Sequence, residues 1–324
     1  MTLGRRLLAL FLAAWLLLAF GPAAGAKLPL AVDGQLELTE APPQALPLEG
    51  EWGFAWQQFV DPTWERLPTR ALARVSASWN DLTADGKPRG ENGWGSYVLQ
   101  VNCPAGQSLA LEAFGQRTAS RLFVNGTEVA AHGTPGRSAA ETHAAVHHRV
   151  PITRDFACPL RITLHIANFE HRAGGFVRPI FVGTADVLAR ERESRIVYAT
   201  TLLSAYLLMG LVALIFVAVR RRERVPLAFG LFCLCMAVYT DMIGERLLLR
   251  VLDGAEFAWV PYMRVEYLSW GAAMALFMLT LGGLFPQEIS KRAVRVVVGA
   301  LLLAGVAVLA LPPALYSYSA LPGQ

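Results

Sequence analysis

The sequence has little charge for its length. Only 17% of its 324 residues are Asp, Glu, Lys or Arg, whereas 54% are hydrophobic, and the mean hydropathy is +0.39. These values are too apolar for an ordinary soluble domain and indicate a membrane protein with a sizeable polar part. The net charge of +4 comes largely from arginines beside apolar runs. We therefore expect no nucleic-acid partner.

The sequence also lacks the short motifs of common catalytic sites. It contains no G-x-S-x-G, no H-E-x-x-H, no phosphate-binding glycine loop and no C-x-x-C pair. Paired carboxylates for glycosidic chemistry do not stand out, and no set of acids lies at midplane depth in the apolar runs, so an ion pathway is not indicated. We expect a protein that is not an enzyme and carries no cofactor. If the protein acts through an enzyme domain, we expect that domain to lie beyond this chain.

The first apolar stretch has the features of a secretory signal peptide, residues 1–26. Arg5-Arg6 precede an apolar core from Leu7 to Phe20, and Ala24-Gly25-Ala26 follow as small residues. The alternative is an uncleaved first membrane helix, for which this core is short. We expect the next domain, residues 27–190, outside the cytoplasm, in the periplasm of a Gram-negative cell.

Four later apolar runs predict a multi-pass transmembrane helical domain over residues 191–324. The predicted spans are about 196–219, 225–243, 262–285 and 294–311. Arginines at Arg220–Arg224 place the end of the first span in the cytoplasm, so we expect the bacterial inner membrane. Four spans return the chain to the outside, where a receptor has no output. We therefore expect a piece of a longer protein, or else output through a partner.

Charged residues cluster at the expected outer ends of the second and third spans. They are Asp241, Glu245, Arg264 and Glu266. At about 1.5 Å per residue, both pairs reach the outer membrane interface. One interpretation is a site that couples the exported domain to the helices. The alternative is a set of interfacial charges that extend to water.

Alternating apolar residues predict an all-β exported domain. Trp52, Phe54 and Trp56 lie on one face at a period of two, which is typical of a strand. Asn125-Gly126 predicts a two-residue hairpin turn, because such a turn needs positive φ at both positions. Short strands with Gly- and Pro-rich turns indicate a β-sandwich, most simply a jelly roll.

Two of the four cysteines fall in the exported domain. Cys103 and Cys158 each precede a proline at the edge of a predicted strand, whereas Cys233 and Cys235 lie in a span. A disulfide between the exported pair would close a long loop and stabilise the fold by about 3–4 kcal/mol. The alternative is two buried free thiols.

All six histidines also fall in the exported domain, which raises the question of a metal site. His143 and His147 have the spacing of a zinc-binding helix. The surrounding sequence leads into a strand, on which residues four apart are about 13 Å apart. We therefore expect no metal site and assign the histidines to the surface or the core.

The stretch NFEHRAGGF, residues 168–176, joins two predicted strands. Gly174-Gly175 allows a tight turn or a close backbone approach, and Asn168 is suited to bond its own backbone there. His171 and Arg172 would then lie on the rim of the sandwich. Two interpretations remain open: a turn with satisfied polar groups, or contact of Asn168, His171 and Arg172 with a ligand or with the membrane domain.

Taken in order along the chain, these motifs resemble the bacterial seven-transmembrane receptors with diverse intracellular signalling modules (7TMR-DISM). The resemblance runs from about residue 45 onward. It is carried by LPLEGEWGFAW with Asp61-Pro62, GSYVLQVN, RLFVNGTEVAAHG, NFEHRAGGF, LLSAYLLMGLVALIFVAVRRRER, GERLLLRVL and YMRVEYLSW. It implies a jelly-roll domain similar to carbohydrate-binding modules, then seven helices, then an output module such as a cyclase, diguanylate cyclase, histidine kinase or phosphatase. This chain departs from the pattern by having four spans.

We therefore expect a signal-transduction receptor whose periplasmic domain senses a small-molecule or carbohydrate ligand. Its other partners would be the lipid bilayer and a cytoplasmic signalling module, fused or separate, and a homodimer stays open. The alternative is a membrane-anchored carbohydrate-binding protein without signalling output. Trp64, Trp79 and Trp94 could stack on a sugar or belong to the core. A transporter or envelope enzyme fits least well.

Overall fold

The computed structural model describes residues 28–84, 87–146, 151–220, 223–251 and 257–317. The signal peptide expected at residues 1–26 lies outside these ranges, as do His147, His148 and two of the arginines after the first span. Strands dominate up to residue 183, and helices dominate from residue 185 onward.

The first part is a β-sandwich. Its strands are β1 (Gln35–Glu37), β2 (Leu46–Pro47), β3 (Glu51–Trp56), β4 (Leu72–Arg74), β5 (Thr83–Ala84), β6 (Lys87–Pro88), β7 (Gly93–Asn102), β8 (Ser108–Glu112), β9 (Ala119–Val124), β10 (Thr127–His132), β11 (Ala145–Val146), β12 (Pro151–Ala157), β13 (Leu160–Asn168) and β14 (Phe181–Gly183). One sheet has the order β10-β9-β13-β7-β3-β4, with β1 parallel to β7, and the other has the order β12-β8-β14-β2. Pairing within these two orders is antiparallel, as the predicted β-sandwich requires.

The core is one cluster of buried apolar residues drawn from both sheets. Aromatic rings fill its centre: Trp52 meets Phe176 edge-on at 4.9 Å, and Tyr97 meets Phe176 at 5.6 Å. Such edge contacts stabilise a core beyond the area that they bury. Phe176 ends the NFEHRAGGF stretch, so this stretch is anchored in the core at one end.

The outer face of the larger sheet is covered by the segment that follows β3. Trp64 Nε1 donates to Thr163 Oγ1 at 2.8 Å, and a ring nitrogen of His165 lies 2.8 Å from the Val60 carbonyl. Trp64 and Trp79 are buried, whereas Trp94 is half-buried. The first two tryptophans therefore belong to the core, and only Trp94 keeps an accessible ring.

The Asn125-Gly126 hairpin is confirmed. Asn125 has φ +48° and Gly126 has φ +82°, and the strands on either side, β9 and β10, pair antiparallel. Positive φ at both central positions matches the right-handed twist of the strands, which explains the choice of these two residues.

Cys103 and Cys158 are joined by a disulfide in the structure, with their Cα atoms 5.7 Å apart. The bridge ties the segment after β7 to the turn between β12 and β13. It closes 55 residues of chain, a loop length for which the chain-entropy model gives about 4 kcal/mol.

The second part consists of helices. They are α1 (Ala185–Val219), α2 (Arg224–Ile243), α3 (Leu247–Val251), α4 (Trp259–Leu284), α5 (Lys291–Ala310) and α6 (Pro313–Tyr316), with the short strand β15 (Phe257–Ala258) before α4. Among the described residues, α1, α2, α4 and α5 are long and apolar enough to cross a membrane. Their bounds lie within about three residues of the predicted spans, except at the start of α1. Consecutive long helices pack on each other.

Helix α1 starts about eleven residues before the predicted span. Thr184 caps it by accepting a bond from the Val187 backbone N–H, and Asp186 lies in the first turn, where a negative charge stabilises a helix. Val187 and Leu188 are buried, and this part of α1 packs on β8, β12 and β14. The hydropathy pattern did not predict this part of the helix, because it is polar. The change from strand to helix lies near Thr184, whereas the sequence predicted the domain boundary at residues 190/191.

Candidate functional site

The sandwich and the helices are joined by a short two-stranded ribbon. Strand β11 pairs antiparallel with β15, Ala145 opposite Ala258 and Val146 opposite Phe257. Buried apolar residues from both parts surround it: Ala144, Val146, Leu249, Trp259, Tyr262 and Met263. Because main-chain hydrogen bonds and apolar packing coincide here, the two parts form one continuous contact.

The NFEHRAGGF stretch is a turn held by Asn168, which is fully buried. Its side-chain amide donates to the carbonyls of Glu91 and His171 at 2.8 and 2.7 Å, and its Oδ1 accepts from the His171 backbone N–H at 3.2 Å. Strand β13 ends at Asn168, and these side-chain bonds take the place of the backbone hydrogen bonds that a strand would make.

His171 faces the helices. It is only 3% exposed, and its ring meets the Trp259 ring edge-on at 6.3 Å. Its Nδ1 accepts from the Ala173 backbone N–H at 3.1 Å. Burial, reinforced by the charges of Arg117 and Arg172, lowers the pKa of His171 to about 3. The imidazole is therefore neutral at physiological pH and acts as an aromatic packing group between the two parts.

Arg172 makes two main-chain contacts. Its backbone N–H donates to Ser317 Oγ at 3.2 Å, and its carbonyl accepts from Asn80 Nδ2 at 2.7 Å. Ser317 directly follows α6, so the turn meets the helical part at Trp259 and again after α6. In this structure the turn that carries Asn168, His171 and Arg172 therefore contacts the helical part.

The strongest polar contact between the two parts is an ion triad. Arg195 of α1 lies between Glu112 of β8 and Glu245, just after α2: its Nη2 is 2.5 Å from Glu112 Oε1 and its Nε is 3.2 Å from Glu245 Oε1. Glu112 is 1% exposed and Glu245 is 8% exposed. Carboxylates this deeply buried need a cationic partner, and Arg195 serves both.

Sequence reasoning did not find Glu112 or Arg195. Glu112 ends the otherwise apolar strand SLALE, and a lone acid at a core position is the signal that could have marked it. Arg195 lies in the polar extension of α1, which was not expected to be helical.

The four residues predicted to couple the parts take separate roles. The Asp241 carboxylate accepts from the backbone N–H groups of Leu247 and Leu248, at 2.8 Å for Leu247, and so starts α3. Glu245 belongs to the triad. Glu266 lines a cavity between the two parts, and Arg264 lies close enough to Tyr316 to act on it electrostatically. All four residues thus lie near the boundary between the sandwich and the helices, and their role in coupling stays a prediction.

A metal site finds no support in the described part of the chain. No group of three or more His, Cys, Asp and Glu side chains could hold a metal ion there. His143 is exposed and lies opposite Thr134 in an isolated bridge, so it is not on a helix of the kind that zinc sites use. The boundary between sandwich and helices is thus the candidate site.

Together these features define an integral membrane protein in which a β-sandwich is docked on the ends of a helical bundle. Residues 196–324 match the family model described as 7TM diverse intracellular signalling. The membrane part of the chain is therefore similar to this family of 7TM signalling proteins. The match does not extend over the β-sandwich.

Solved structures similar to this chain include three bacterial β-glucuronidases. That of Faecalibacterium prausnitzii is 18% identical with a TM-score of 0.33, over 46% of this chain and 33% of the enzyme. That of Ruminococcus gnavus is 18% identical (TM-score 0.31; 45% and 30%), and that of an uncultured Clostridium sp. is 17% identical (0.33; 45% and 30%). The chain spans about a third of each enzyme. No curated protein matches the chain.

We expect Arg195→Met to destabilise the docked protein by about 3 kcal/mol, because two buried carboxylates lose their partner. This value is at the low end of the range for breaking a buried ion pair, because the charge of Arg192 also acts on both carboxylates. Urea unfolding of the protein in nanodiscs, followed by circular dichroism, measures the change. Arg190→Met is the matched control, since Arg190 is exposed on the same helix. Equal losses in both variants would contradict a special role for Arg195.

We expect stability to fall as the pH drops below 6.5, in part through His171. The unfolded chain protonates this residue near pH 6.5 but the folded protein only near pH 3, so in this window the unfolded state binds the extra proton. Lowering the pH from 7.5 to 5 should cost about 2 kcal/mol from this residue. His171→Asn should flatten the pH profile of the unfolding free energy by that amount.

Proposed function

We propose that the protein is a membrane signal-transduction receptor. Its extracytoplasmic β-sandwich senses a ligand, and the signal passes through the helices to a cytoplasmic output module. The observation that carries this proposal is the triad, in which one arginine at the start of a membrane helix pairs with a buried carboxylate of the sandwich. The family that the membrane part matches supports the same function.

The boundary has the properties that a transmitting interface needs. A ligand shifts a conformational equilibrium only by its difference in affinity between two states, and interfaces of packed rings and ion pairs switch between discrete arrangements. The triad, the β11–β15 ribbon and the His171–Trp259 contact would change together if the sandwich tilted. We assign Asn168, His171 and Arg172 to this transmission, in place of the direct ligand contact that the sequence had suggested.

The ligand proposed for the sandwich is a carbohydrate or another small molecule. Support comes from a half-buried aromatic surface on the larger sheet, where Trp94 packs on Phe59 at 4.7 Å and Arg137 lies 5.6 Å from the Trp94 ring. Rings with one accessible face suit the apolar face of a sugar. The second candidate function, a membrane-anchored carbohydrate-binding protein without signalling, fits this surface equally well but not the docked boundary.

The proposed location is the bacterial inner membrane, with the sandwich in the periplasm. Reporter fusions test it. Alkaline phosphatase fused after Gly183 should be active, because this position precedes the first span, whereas the same enzyme fused after Arg224 should be inactive and a fluorescent protein there should be bright. The reverse pattern at both positions would place the sandwich in the cytoplasm and overturn the proposal.

Cross-linking between the parts separates a receptor from an anchored binding protein. We expect Ala145→Cys with Ala258→Cys to form a disulfide, because these residues lie opposite each other on β11 and β15. A glycan array of the protein in nanodiscs first identifies a bound sugar. That sugar should then change the cross-linking rate several-fold if binding moves the boundary.

The control pair is Glu51→Cys with Arg74→Cys, opposite each other on β3 and β4 inside the sandwich. Its rate should not respond to the sugar. An unchanged rate at both pairs, with sugar bound, would favour the anchored binding protein. No binding to any sugar would remove the carbohydrate from both hypotheses.

A further inference from the structure

A cavity of about 370 Å³ lies among the helices α2, α4 and α5, and we call it the α4–α5 cavity. Its walls are largely apolar: Gly271 and Ala275 line it from α4, and residues between 301 and 309 line it from α5. Along α4 it reaches from Glu266 to Ala275, which is about 14 Å at 1.5 Å per residue. Its volume lies in the range of small-molecule sites in proteins, about 300–1,000 Å³. The space therefore suits a molecule with an apolar chain.

One end of the α4–α5 cavity is polar and lies at the boundary with the sandwich. Glu266 is half-buried there, and it also lines the small cavity between the two parts, together with Arg178 and Arg246. One helical turn further along α4, the Trp270 ring packs on the Tyr239 ring at 4.9 Å. The cavity thus has a polar end, an aromatic wall and an apolar body, which is the arrangement that an amphipathic ligand needs.

The α4–α5 cavity opens on the outer surface of the bundle. Leu302, Val306 and Leu309 of α5 line it, and each is more than half exposed. This surface belongs to the apolar spans, so a ligand would enter from the bilayer. A membrane helix, about 10 Å across and 30 Å long, occupies several times the volume of the cavity. Such a helix could cover the mouth but could not fill the space.

The charges at the polar end favour a neutral head group. A phosphate or sulfonate would come close to the Glu266 carboxylate. An ammonium group would come close to Arg178 and Arg246, whose charges act on Glu266. Each of these arginines has partners of its own in the protein, so no further anion is called for. A hydroxyl avoids both repulsions, which are strong away from water, and it can donate to the carboxylate.

We propose that the α4–α5 cavity binds a single-chain lipid with a neutral hydroxyl head group. Its chain would lie between α4 and α5, and its hydroxyl would donate to the Glu266 carboxylate. This site goes beyond the ligand proposed for the sandwich, because it is reached from the bilayer and lies within the helical part. It concerns binding and requires no signal.

Photolabelling of the protein in nanodiscs tests the proposal. The probe is a decanol that carries a diazirine in its chain, and mass spectrometry locates the labelled peptides. We expect saturable labelling within residues 266–275 and 301–309, for which unlabelled decanol competes. Decanesulfonate and decylamine, both charged at pH 7, should compete about tenfold less well or worse, because each brings a like charge close to Glu266 or to the arginines.

Gly271→Leu should block the cavity without disturbing the helices. A Cβ added at Gly271 meets no other atom within 4 Å, so a leucine has room there and takes the space of the lipid chain. We expect the half-saturating probe concentration to rise about tenfold or more, because methylene groups of the ligand lose their apolar contacts. Gly299→Leu is the matched control. A Cβ at Gly299 is equally unobstructed, but this residue does not line the cavity, so labelling should stay unchanged.

Glu266→Gln tests the head group, and it keeps the proposal testable if Gly271→Leu fails to fold. The amide still bonds a hydroxyl but carries no charge, so decanesulfonate should then compete as well as decanol. An unchanged preference for decanol in this variant would contradict the role of Glu266.

Three results with the folded protein would overturn the lipid site. They are labelling that does not saturate, labelling that survives Gly271→Leu, and equal competition by charged and neutral head groups in the wild type. The proposed receptor is judged separately, by the effect of sugar on the cross-linking of Ala145→Cys with Ala258→Cys. A lipid site without that effect would reject the receptor alone, and that effect without a lipid site would reject the lipid alone.

Discussion

The contact on which the rest of the structure depends is the pairing of Arg195 with Glu112 and Glu245. Two carboxylates are buried where a strand edge, a helix start and a helix end meet, and burial without a cation would exclude this arrangement. The guanidinium therefore fixes where α1 lies against β8 and where α2 ends. The ribbon, the apolar cluster and the turn at residues 168–176 lie along the same boundary.

Helix α1 connects this contact to the membrane-spanning part of the protein. Only Thr184 separates it from the last sandwich strand, and it continues without interruption to Val219. A displacement of its first turns is therefore carried along a hydrogen-bonded rod instead of being absorbed by a linker. The second connection, from β15 into α4, enters the bundle at Trp259. The sandwich is thus joined to the bundle at two separate places, the start of α1 and the start of α4. A tilt of the sandwich would therefore move α1 and α4 relative to each other.

The sequence predicted the features that have a local signal. Alternation of apolar residues marked the strands, long apolar runs marked the spans, and Asn125-Gly126 marked its turn, because each depends on neighbours within a few residues. The polar start of α1 was missed because it is stabilised by packing on the sandwich. The pairs Glu112–Arg195 and Ala145–Ala258 join residues 83 and about 113 positions apart, and no local pattern encodes which distant charge or strand a residue will meet.

The composition of the boundary explains why it could act as a switch while the sandwich core could not. The core around Trp52 and Phe176 is apolar, and separating it would cost the full burial of large rings. The boundary instead mixes a modest apolar cluster with charges whose attraction is largely offset by desolvation. Docked and undocked arrangements can then differ by little free energy. His171, which stays neutral under physiological conditions, adds packing without adding charge, so ligand occupancy rather than its protonation would set the balance.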